Sequence, residues 1–328
     1  MKSIIASLSL FSVALATSRT SAPSGCITVA KSGGDYSTIQ AAVNSLSTSS
    51  SAAQCIFIAA GTYEEQVLVS ARSAQLTIYG ATSDDSSYGS NTVTITNNLS
   101  QASGLSNDET ATLRVKAAGF RLYNVNVENS YGEGSQAVAL SAYSDSGFYG
   151  SAFSSFQDTV LSNQGNQVYV NSKIEGATDF IFGQLARSWF EKCDIRVLSA
   201  SVGYVTANGN DGGNSEYVFN ECDIAAADGE SVSSGAYYLG RPWRQDAQVI
   251  FQYTSMSSVI NSAGWSVWST SDSRTSGVLF GEYQNTGDGA SGTRASFATT
   301  LSAAVSIGDI LGSSYASQSY FDADYYSA

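Results

Sequence analysis

Two pairs of side chains that could carry acid–base chemistry share one spacing in the chain. Gln136 and Gln157 are 21 residues apart (157 − 136), and so are Asp158 and Asp179 (179 − 158). If about 21 residues form one coil of a stacked structure, the members of each pair lie on neighbouring coils, about 4.8 Å apart. Two carboxyl groups and two carboxamides then converge on one patch of the surface.

A cluster of this kind suits catalysis by carboxyl groups. Two carboxylates this close do not both ionise easily, so one keeps a proton while the other stays anionic. The uncharged N–H groups of Gln can stabilise a developing oxyanion. The competing interpretation is that these polar residues only cap turns or form stacked ladders. The chain contains no histidine, which excludes Ser-His-Asp and Cys-His nucleophilic catalysis and any His-ligated metal centre.

The segments that must position these residues repeat with a similar period. Four segments align, and their apolar fourth positions are 21, 21 and 29 residues apart (174 − 153, 195 − 174 and 224 − 195). The segments are residues 150–153 (GSAF), 171–174 (NSKI), 192–195 (KCDI) and 221–224 (ECDI). A period near 21 with one insertion predicts a solenoid of short strands, with Asn171 and its neighbours at coil corners. From about Val278 the pattern weakens, and we expect residues 303–307 and 310–311 to pack as a tail along the column.

The N-terminal region predicts a signal, a linker and a capping unit. Residues 1–16 combine Lys2, an apolar stretch and a small-residue cleavage site, which is typical of a secretory signal peptide. Residues 17–25 are rich in Ser and Thr and are interpreted as a linker, and residues 26–328 as a single domain. Strands are predicted at residues 26–30 and 56–60. Between them we expect a short amphipathic helix, with Ser37 as N-cap and Gln40 completing a capping box.

The predicted export and the net charge indicate which covalent modifications and which binding partners to expect. An exported chain meets an oxidising environment, so disulfides are expected. Of three possible pairings we favour Cys26–Cys55 and Cys193–Cys222, because each encloses the same separation of 29 residues (55 − 26 and 222 − 193). Asn98 begins an N-x-S sequon, which predicts one surface glycan. The formal net charge of −13 disfavours nucleic-acid binding through bulk charge, and no run after the signal is long enough to span a membrane.

Seven motifs resemble those of the pectin methylesterase (pectinesterase) family and occur in order over nearly the whole chain after residue 26. They are residues 34–40 (GDYSTIQ), 61–65 (GTYEE), 136–140 (QAVAL), 156–159 (FQDT), 176–183 (GATDFIFG), 239–243 (LGRPW) and 280–285 (FGEYQN). With no long pro-region before residue 26, the chain is similar to the short, secreted microbial and fungal members rather than to long plant precursors.

The resemblance implies an all-β fold, a right-handed parallel β-helix, that hydrolyses galacturonate methyl esters of pectin to pectate and methanol. It implies that Asp179 is the nucleophile and Asp158 the general acid and then the base. Gln157 would stabilise the oxyanion, and Gln136 would assist it and contact the substrate. Arg241 would keep Asp179 ionised and oriented, although a plain surface salt bridge is the alternative for Arg241. No metal or cofactor is required, and we expect a monomer that acts on methyl-esterified homogalacturonan.

Aromatic residues are expected to hold the sugar. The resemblance places Trp243 and Phe182 beside it, while Trp189, Trp265 and Trp268 cannot be separated from packing roles by sequence. Phe180 is interpreted as a core residue. Two positions depart from the family pattern, because Leu161 replaces a frequent aromatic residue and Thr178 replaces a usual Val. Leu161 is expected to alter a substrate subsite without removing a catalytic group.

Two other functions compete with esterase activity. A pectate lyase on a similar solenoid would use Asp158 and Asp179 as calcium ligands, and it would give an unsaturated product rather than methanol. A carbohydrate-binding solenoid would bind pectin and leave its ester content unchanged. Because the chain has no histidine, the carboxyl pair is the expected titrating unit, and an acidic pH optimum is predicted.

Overall fold

Residues 17–327 are described by a computed structural model, so the predicted signal peptide lies outside the described residues. Within them the chain winds as a right-handed parallel β-helix whose strands form three parallel sheets. In chain order the strands are β1 Ile27–Val29, β2 Gln54–Ile58, β3 Gly61–Glu64, β4 Val67–Val69, β5 Leu76–Gly80, β6 Val93–Asn97, β7 Leu113–Val115, β8 Phe120–Tyr123, β9 Asn126–Asn129, β10 Leu140–Ala142, β11 Ser146–Tyr149, β12 Ala152–Ser154, β13 Val160–Ser162, β14 Gln164–Val170, β15 Lys173–Gly176, β16 Thr178–Gly183, β17 Leu185–Glu191, β18 Asp194–Val197, β19 Gly203–Asn208, β20 Glu216–Asn220, β21 Asp223–Ala226, β22 Tyr237–Gly240, β23 Gln248–Gln252, β24 Ser255–Met256, β25 Leu279–Tyr283 and β26 Ala298–Thr300. The helices are α1 Ile39–Ser45, α2 Asn107–Thr110, α3 Ile307–Leu311 and α4 Ala323–Tyr326, with 3₁₀ turns at Tyr88–Ser90, Gln101–Ser103, Asp288–Ala290 and Tyr315–Ser317.

The three sheets have different lengths. The eleven-stranded sheet has the order β1-β2-β5-β8-β11-β14-β17-β20-β23-β25-β26, and the eight-stranded sheet has the order β24-β21-β18-β15-β12-β9-β6-β3. The seven-stranded sheet, in the order β22-β19-β16-β13-β10-β7-β4, carries the predicted active-site residues. In the described part of the chain, no helix is long and apolar enough to cross a membrane.

The predicted coil period is confirmed by the strand register. Phe153 pairs with Ile174, Ile174 with Ile195, and Ile195 with Ile224, so the spacings of 21, 21 and 29 are successive coils. From β8 to β23, the chain turns from the eleven- to the eight-stranded sheet through one residue in the left-handed region, and the residue after β25 has the same conformation. These corner residues are Asn124 (φ 53°), Gly150 (φ 52°), Asn171 (φ 46°), Lys192 (φ 48°), Glu221 (φ 52°), Tyr253 (φ 52°) and Gln284 (φ 47°). The prediction that Asn171 and its neighbours lie at corners is therefore confirmed.

The core is a column of side chains that stack from coil to coil. Its central part is a ladder of aromatic rings 4.3–4.8 Å apart between centroids, formed by Phe148, Tyr169, Phe190, Phe219 and Phe251. The coils above and below each ring exclude water from it, so a single coil cannot form a core alone.

The N-terminal unit caps this column, with one correction. Helix α1 begins one residue later than predicted, because Thr38 rather than Ser37 is the N-cap and its hydroxyl accepts from the Ala41 N–H at 3.3 Å. Gln40 does not complete a capping box. Its side chain instead accepts from the Leu68 N–H at 2.6 Å and ties the helix to β4.

The segment 17–25, interpreted as a linker, is attached to the column rather than free. Arg19 forms an antiparallel bridge with Thr82 and an ion pair with Asp85 at 3.2 Å. Arg19 also donates a hydrogen bond to the side chain of Asn124 at 2.9 Å. These contacts extend the ordered structure to the N-terminal side of the predicted domain boundary.

The cysteine prediction is half right. Cys26 and Cys55 form a disulfide, whereas Cys193 and Cys222 are free, buried thiols, so the predicted Cys193–Cys222 bridge is wrong. Each free thiol follows a corner residue and donates to the carbonyl two residues earlier, at 3.5 Å for both cysteines. Ser172 and Thr254 make the same bond on the flanking coils. The two cysteines therefore occupy a ladder of small hydrogen-bonding side chains.

The predicted C-terminal tail lies along the outer face of the eleven-stranded sheet. Val305 exchanges two hydrogen bonds with the side chain of Gln252, at 3.0 and 3.1 Å. Further along, α3 packs on β17, and the side chain of Arg121 donates to the Ser319 carbonyl at 2.7 Å. The tail thus runs back along the column and covers its apolar outer face.

Candidate active site

Asp158 and Asp179 lie at the same level of neighbouring coils, in an unusual backbone conformation. Gln157 bridges Thr178, and Val160 pairs with Ile181, so the offset of 21 residues holds across the pair. Both aspartates adopt the left-handed region, with φ of 65° for Asp158 and 50° for Asp179. Asp tolerates this region better than most residues, yet the conformation costs free energy and is enriched at functional sites.

The left-handed residue in β16 changes which side chains face outward. The register between β16 and β19 shifts between Thr178 and Ile181. As a result Phe180 and Ile181 both lie in the core, and Phe182 packs in a separate cluster on the outer face. The prediction that Phe180 is a core residue is confirmed, since it is fully buried. The bulge lets Asp179 face outward without breaking the core ladder.

Arg241 forms an ion pair with the carboxylate of Asp179. It follows β22, and its Nε and Nη2 donate to the two oxygens of Asp179 at 2.9 and 2.7 Å. This bidentate geometry is the strong form of an Arg–carboxylate pair. The Arg241 side chain is 20% exposed and that of Asp179 is 9% exposed, so the ion pair is shielded from bulk water and is not a surface salt bridge.

The two carboxyl groups titrate differently because their partners differ. Burial and the neighbouring charge of Asp179 hold the pKa of Asp158 well above its usual value, and Arg241 and a hydrogen bond with Gln157 only partly offset this. Burial also raises the pKa of Asp179, but the hydrogen bonds and charge of Arg241 oppose it. The charge of Arg241 thus favours ionisation of Asp179, while the charge of Asp179 favours protonation of Asp158.

The two glutamines flank this pair from the adjoining segments. Gln157 directly precedes Asp158, and both Gln136 and Gln157 are half-buried. The Ala137 N–H donates to the Gln157 carbonyl at 3.1 Å, which sets Gln136 one coil from Gln157. The structure thus brings Gln136, Gln157, Asp158, Asp179 and Arg241 to one face of the seven-stranded sheet.

An apolar cluster forms the surface beside the carboxyl pair. It comprises buried Ala111, Val138, Leu161, Phe182 and Ala207, with Tyr143 and Trp243 packed on it. The rings of Phe182 and Trp243 are 6.1 Å apart between centroids. Trp243 also lies directly over Gly209, where a Cβ would approach its ring to 2.7 Å. This surface offers aromatic and aliphatic contacts to a ligand bound next to Asp179.

Comparison with known proteins agrees with the motifs. The family model described as Pectinesterase matches residues 26–309. The chain is 53% identical over 333 residues to a pectinesterase of Aspergillus aculeatus, covering 99% of this chain and 100% of the relative. This shows the family. The chain belongs to the pectinesterase family.

Solved structures of pectinesterases share the fold. The pectin methylesterase from Aspergillus niger, in a form with an N-acetylglucosamine stub, matches with a TM-score of 0.87 and 44% identity over 94% of this chain and 100% of that chain. The pectin methylesterase from carrot matches with a TM-score of 0.82 and 28% identity over 92% of this chain and 98% of that chain. The esterase interpretation of the sequence motifs is therefore confirmed at the level of the family.

The tryptophans of this pectinesterase divide into core and site residues. Trp189 packs beneath the C-terminal tail and Trp265 packs in the core of the column, so neither lies beside the carboxyl pair. Trp268 is different, because its ring covers the guanidinium of Arg241 at 4.5 Å. The Tyr204 ring also lies against that guanidinium, with 4.0 Å between the guanidinium carbon and the ring centroid. Sequence reasoning missed Tyr204, and it left Trp268 unassigned because no period marks the loop that carries it.

A basic pair lies on the same face at the N-terminal end of the apolar cluster. Arg114 and Lys116 both contact the carboxylate of Asp108 at 2.6 Å, and the ammonium of Lys116 lies 3.5 Å from the centroid of the Tyr143 ring. Burial alone would raise the pKa of Asp108, but its hydrogen bonds with the two cations bring that pKa below its usual value. Sequence reasoning did not single out these residues either.

Proposed function

We propose that the protein removes methyl groups from galacturonate methyl esters of pectin, with Asp179 as nucleophile and Asp158 as general acid and then base. The observation that carries this proposal is the asymmetry of the buried carboxyl pair, in which Arg241 contacts both oxygens of Asp179. Family membership supports the reaction, and the geometry supports the division of roles between the two acids.

In the first half of the cycle, the Asp179 carboxylate attacks the ester carbonyl carbon. The N–H groups of Gln157, assisted by Gln136, stabilise the oxyanion of the tetrahedral intermediate. When the intermediate collapses, the C–O bond to the methoxy group breaks. Asp158 gives its proton to that oxygen, so methanol leaves and an acyl-enzyme anhydride with Asp179 remains.

In the second half of the cycle, water attacks the acyl carbon. Asp158, now a carboxylate, takes a proton from the water as the new C–O bond forms. Collapse of this intermediate breaks the bond to Asp179 and releases the free galacturonate carboxylic acid. Asp158 is then protonated and Asp179 ionised again, so the enzyme returns to its starting state.

We further propose that the substrate is methyl-esterified homogalacturonan, held beside Trp243 and Phe182, and that the protein acts as a secreted monomer. The apolar cluster around Phe182 supports contact with sugar rings. The predicted signal in residues 1–16 and the Cys26–Cys55 disulfide support export. Asn98 is exposed directly after β6, as a glycosylated residue must be, and it stays a predicted glycan site.

The test is methanol release from highly methyl-esterified pectin by the purified protein, with Asp158→Asn and Asp179→Asn alongside. We expect the wild type to release methanol and both variants to lose most activity while they still bind pectin. A pectate lyase would instead give an unsaturated product. Binding without any loss of esters in the wild type would identify a carbohydrate-binding solenoid.

The lyase alternative fits the site poorly. A calcium ion bound to Asp179 would lie beside the positive charge of Arg241, which donates a hydrogen bond to each oxygen of that carboxylate. Within residues 17–327, no group of three or more His, Cys, Asp or Glu side chains is placed to hold a metal ion.

A further inference from the structure

Aromatic rings and guanidinium groups alternate in a stack that passes through Arg241. The guanidinium carbon of Arg241 lies 4.0 Å from the centroid of the Tyr204 ring and 4.5 Å from that of Trp268. The guanidinium carbon of Arg274 lies 4.7 Å from the centroid of the same Trp268 ring. At the other end, Tyr204 stacks on Tyr238 with centroids 5.7 Å apart and planes 17° apart. We call these five residues the guanidinium stack.

We propose that Tyr204, Trp268 and Arg274 are positioning residues that fix the plane of the Arg241 guanidinium and so hold Asp179 ionised and aimed at the ester. This inference rests on the proposed function, because it gives Asp179 the role of nucleophile. It adds three residues that neither the motifs nor the carboxyl pair identify.

The geometry explains why Arg241 needs such support. Its long side chain has many rotamers, and fixing them costs free energy that a single ion pair must otherwise supply. Cation–π contacts act within about 6 Å of a ring centroid, and the centroids of both rings lie well inside that distance of the Arg241 guanidinium carbon. Two rings packed against the guanidinium restrict the orientation of its plane. Its Nε and Nη2 meanwhile donate to Asp179.

The loop that brings Trp268 to Arg241 is held from its far side by Arg274. The Trp268 N–H donates to the Ser273 carbonyl at 3.2 Å, which closes the loop. Arg274 Nη1 donates to the carbonyl of Trp243 at 2.5 Å, and its Nε donates to Asp272 at 2.7 Å. Arg274 therefore joins the loop to Trp243, which packs on the apolar cluster beside the carboxyl pair.

The backbone of Arg274 supports a specific role for this residue. It has φ of 53°, a left-handed conformation that is uncommon for a long side chain. Such a conformation persists only where surrounding contacts enforce it. In this conformation the Arg274 guanidinium packs against Trp268 and donates to the Trp243 carbonyl. Arg274 therefore contacts both the apolar cluster, through Trp243, and the tryptophan that lies against Arg241.

A simpler role for Trp268 would be a sugar platform, and the two roles predict different kinetics. A platform contributes to binding, so its loss raises KM and leaves the pH dependence of kcat/KM unchanged. A positioning residue acts through Arg241. Its loss lowers kcat and moves the acidic limb of kcat/KM to higher pH, because that limb reports the ionisation of the nucleophile in the free enzyme.

The experiment compares Trp268→Leu and Tyr204→Leu with Trp268→Phe and Tyr204→Phe, which keep an aromatic face. Methanol release from pectin is measured across pH. We expect each Leu variant to lose kcat by about tenfold, the equivalent of one to two cation–π contacts, with the acidic limb shifted to higher pH. The Phe variants should stay within about threefold of the wild type and keep its acidic limb.

Arg274→Ala, with Arg274→Lys as its matched control, tests the outer end of the stack at a partly exposed loop position that the core does not depend on. Arg274→Ala should lower kcat and shift the acidic limb in the same direction by a smaller amount, and Arg274→Lys should recover part of both. Unchanged kcat and acidic limb in Arg274→Ala and in both Leu variants, in a wild type that releases methanol, would overturn the inference alone. A wild type that releases no methanol would instead overturn the proposed function.

Discussion

Two regions of the molecule bury carboxyl groups to the same degree and use them differently. In the candidate active site, Asp158 and Asp179 are 6% and 7% exposed. Beneath the C-terminal tail, on the outer face of the eleven-stranded sheet, Glu191 is 4% exposed. Burial raises the pKa of all three side chains. Burial and a raised pKa therefore cannot by themselves separate a catalytic acid from a structural one.

The hydrogen-bond partners make the difference. Glu191 accepts from Trp189 at 2.7 Å, from Asn220 at 3.0 and 3.1 Å, and from Tyr326 at 3.0 Å. These neutral donors satisfy both oxygens, and the tail residue Tyr326 completes the set. Glu191 thus holds the tail against the column through Tyr326.

Asp158 has the opposite surroundings. Its neighbours are a second carboxyl group and the side chain of Gln157, and Arg241 is bound to Asp179 rather than to it. It also sits on a left-handed backbone, whereas Glu191 ends a regular strand. An acid with few donors, a charged neighbour and a strained backbone is poised to exchange a proton, and an acid with a full set of donors is not.

The largest effect should come from Asp179→Asn. The amide is a far weaker nucleophile and cannot form the ion pair with Arg241, so we expect kcat for methanol release to fall by about 10⁴-fold or more. Asn tolerates the left-handed backbone as well as Asp does, so the fold should survive. The matched control is Glu191→Gln, which removes an equally buried charge and should keep wild-type kcat. Comparable losses of kcat in both variants would contradict the separation of the two regions.

Asp158→Asn should give the next largest loss of activity together with a gain in stability. Without a proton donor for the leaving methanol, kcat should fall by about 10²–10⁴-fold. The folded-state pKa of Asp158 lies above the unfolded value of 3.8, so its contribution to stability is complete below that pH and is lost as pH rises toward the folded pKa. Asn does not titrate and avoids this loss.

The free energy of unfolding of the wild type and of Asp158→Asn is measured from about pH 3 to pH 7. This range roughly brackets the usual pKa values of carboxyl groups. The variant should gain on the wild type as pH rises. A constant difference between them across this range would show that Asp158 does not carry a raised pKa in the folded protein.

A smaller and purely structural effect is expected from Glu191→Gln. The amide group of Gln replaces one accepting oxygen with a donor, which then faces the amide N–H of Asn220 whichever oxygen is replaced, because Asn220 donates to both oxygens. Leaving such buried groups unpaired costs about 1–3 kcal/mol. Chemical denaturation should show this loss, and the tail should become more accessible to proteolysis. An unchanged unfolding free energy would mean that the tail is held by its apolar contacts alone.

Sequence reasoning predicted the features that repeat from coil to coil and missed the side-chain contacts that occur only once. The spacing of 21 residues predicted the coil period, because one coil length fixes the register of every strand that follows. The same spacing placed Asp158 beside Asp179, and the family motifs added Arg241. Trp268 and Arg274 were missed because they lie on a loop outside the coils, which leaves no period in the sequence. Tyr204 was missed although it lies in β19, because nothing in its strand indicates that its ring contacts Arg241.

Local capping and the cysteines were harder for a different reason. The N-cap of α1 is set by tertiary contacts, since the carboxylate of Glu65 accepts from the N–H groups of Ile39 and Gln40 at 2.8 and 2.9 Å. Equal separation in sequence also made the two cysteine pairs look alike, although one pair lies at the N-terminal end of the column and the other lies within it. Separation shows that two residues stack, but it does not show what each side chain bonds to.

Substitution of the free cysteines should have the smallest effect. Cys193 lies two residues after Glu191, in the region that supports the tail. Its thiol donates to the carbonyls of Tyr169 and Glu191 at 3.4 and 3.5 Å, as the Ser172 hydroxyl does to Phe148 and Val170 one coil away. Cys193→Ser keeps the donor and continues the ladder, so we expect a change of less than about 1 kcal/mol in unfolding free energy. Cys193→Val has no donor and carries one more heavy atom than Cys.

Comparing the two substitutions separates hydrogen bonding from packing at this position. If the ladder is held by its hydrogen bonds, Cys193→Ser is the more stable variant, because the carbonyls of Tyr169 and Glu191 keep a donor. If packing dominates, Cys193→Val is the more stable, since the buried site then favours an apolar side chain over a hydroxyl. In either case kcat should remain that of the wild type, because Cys193 lies at the corner between the eleven- and eight-stranded sheets, whereas Asp158 lies just before β13 of the seven-stranded sheet. A loss of activity in Cys193→Ser would show that the interior of the column transmits strain to the carboxyl pair.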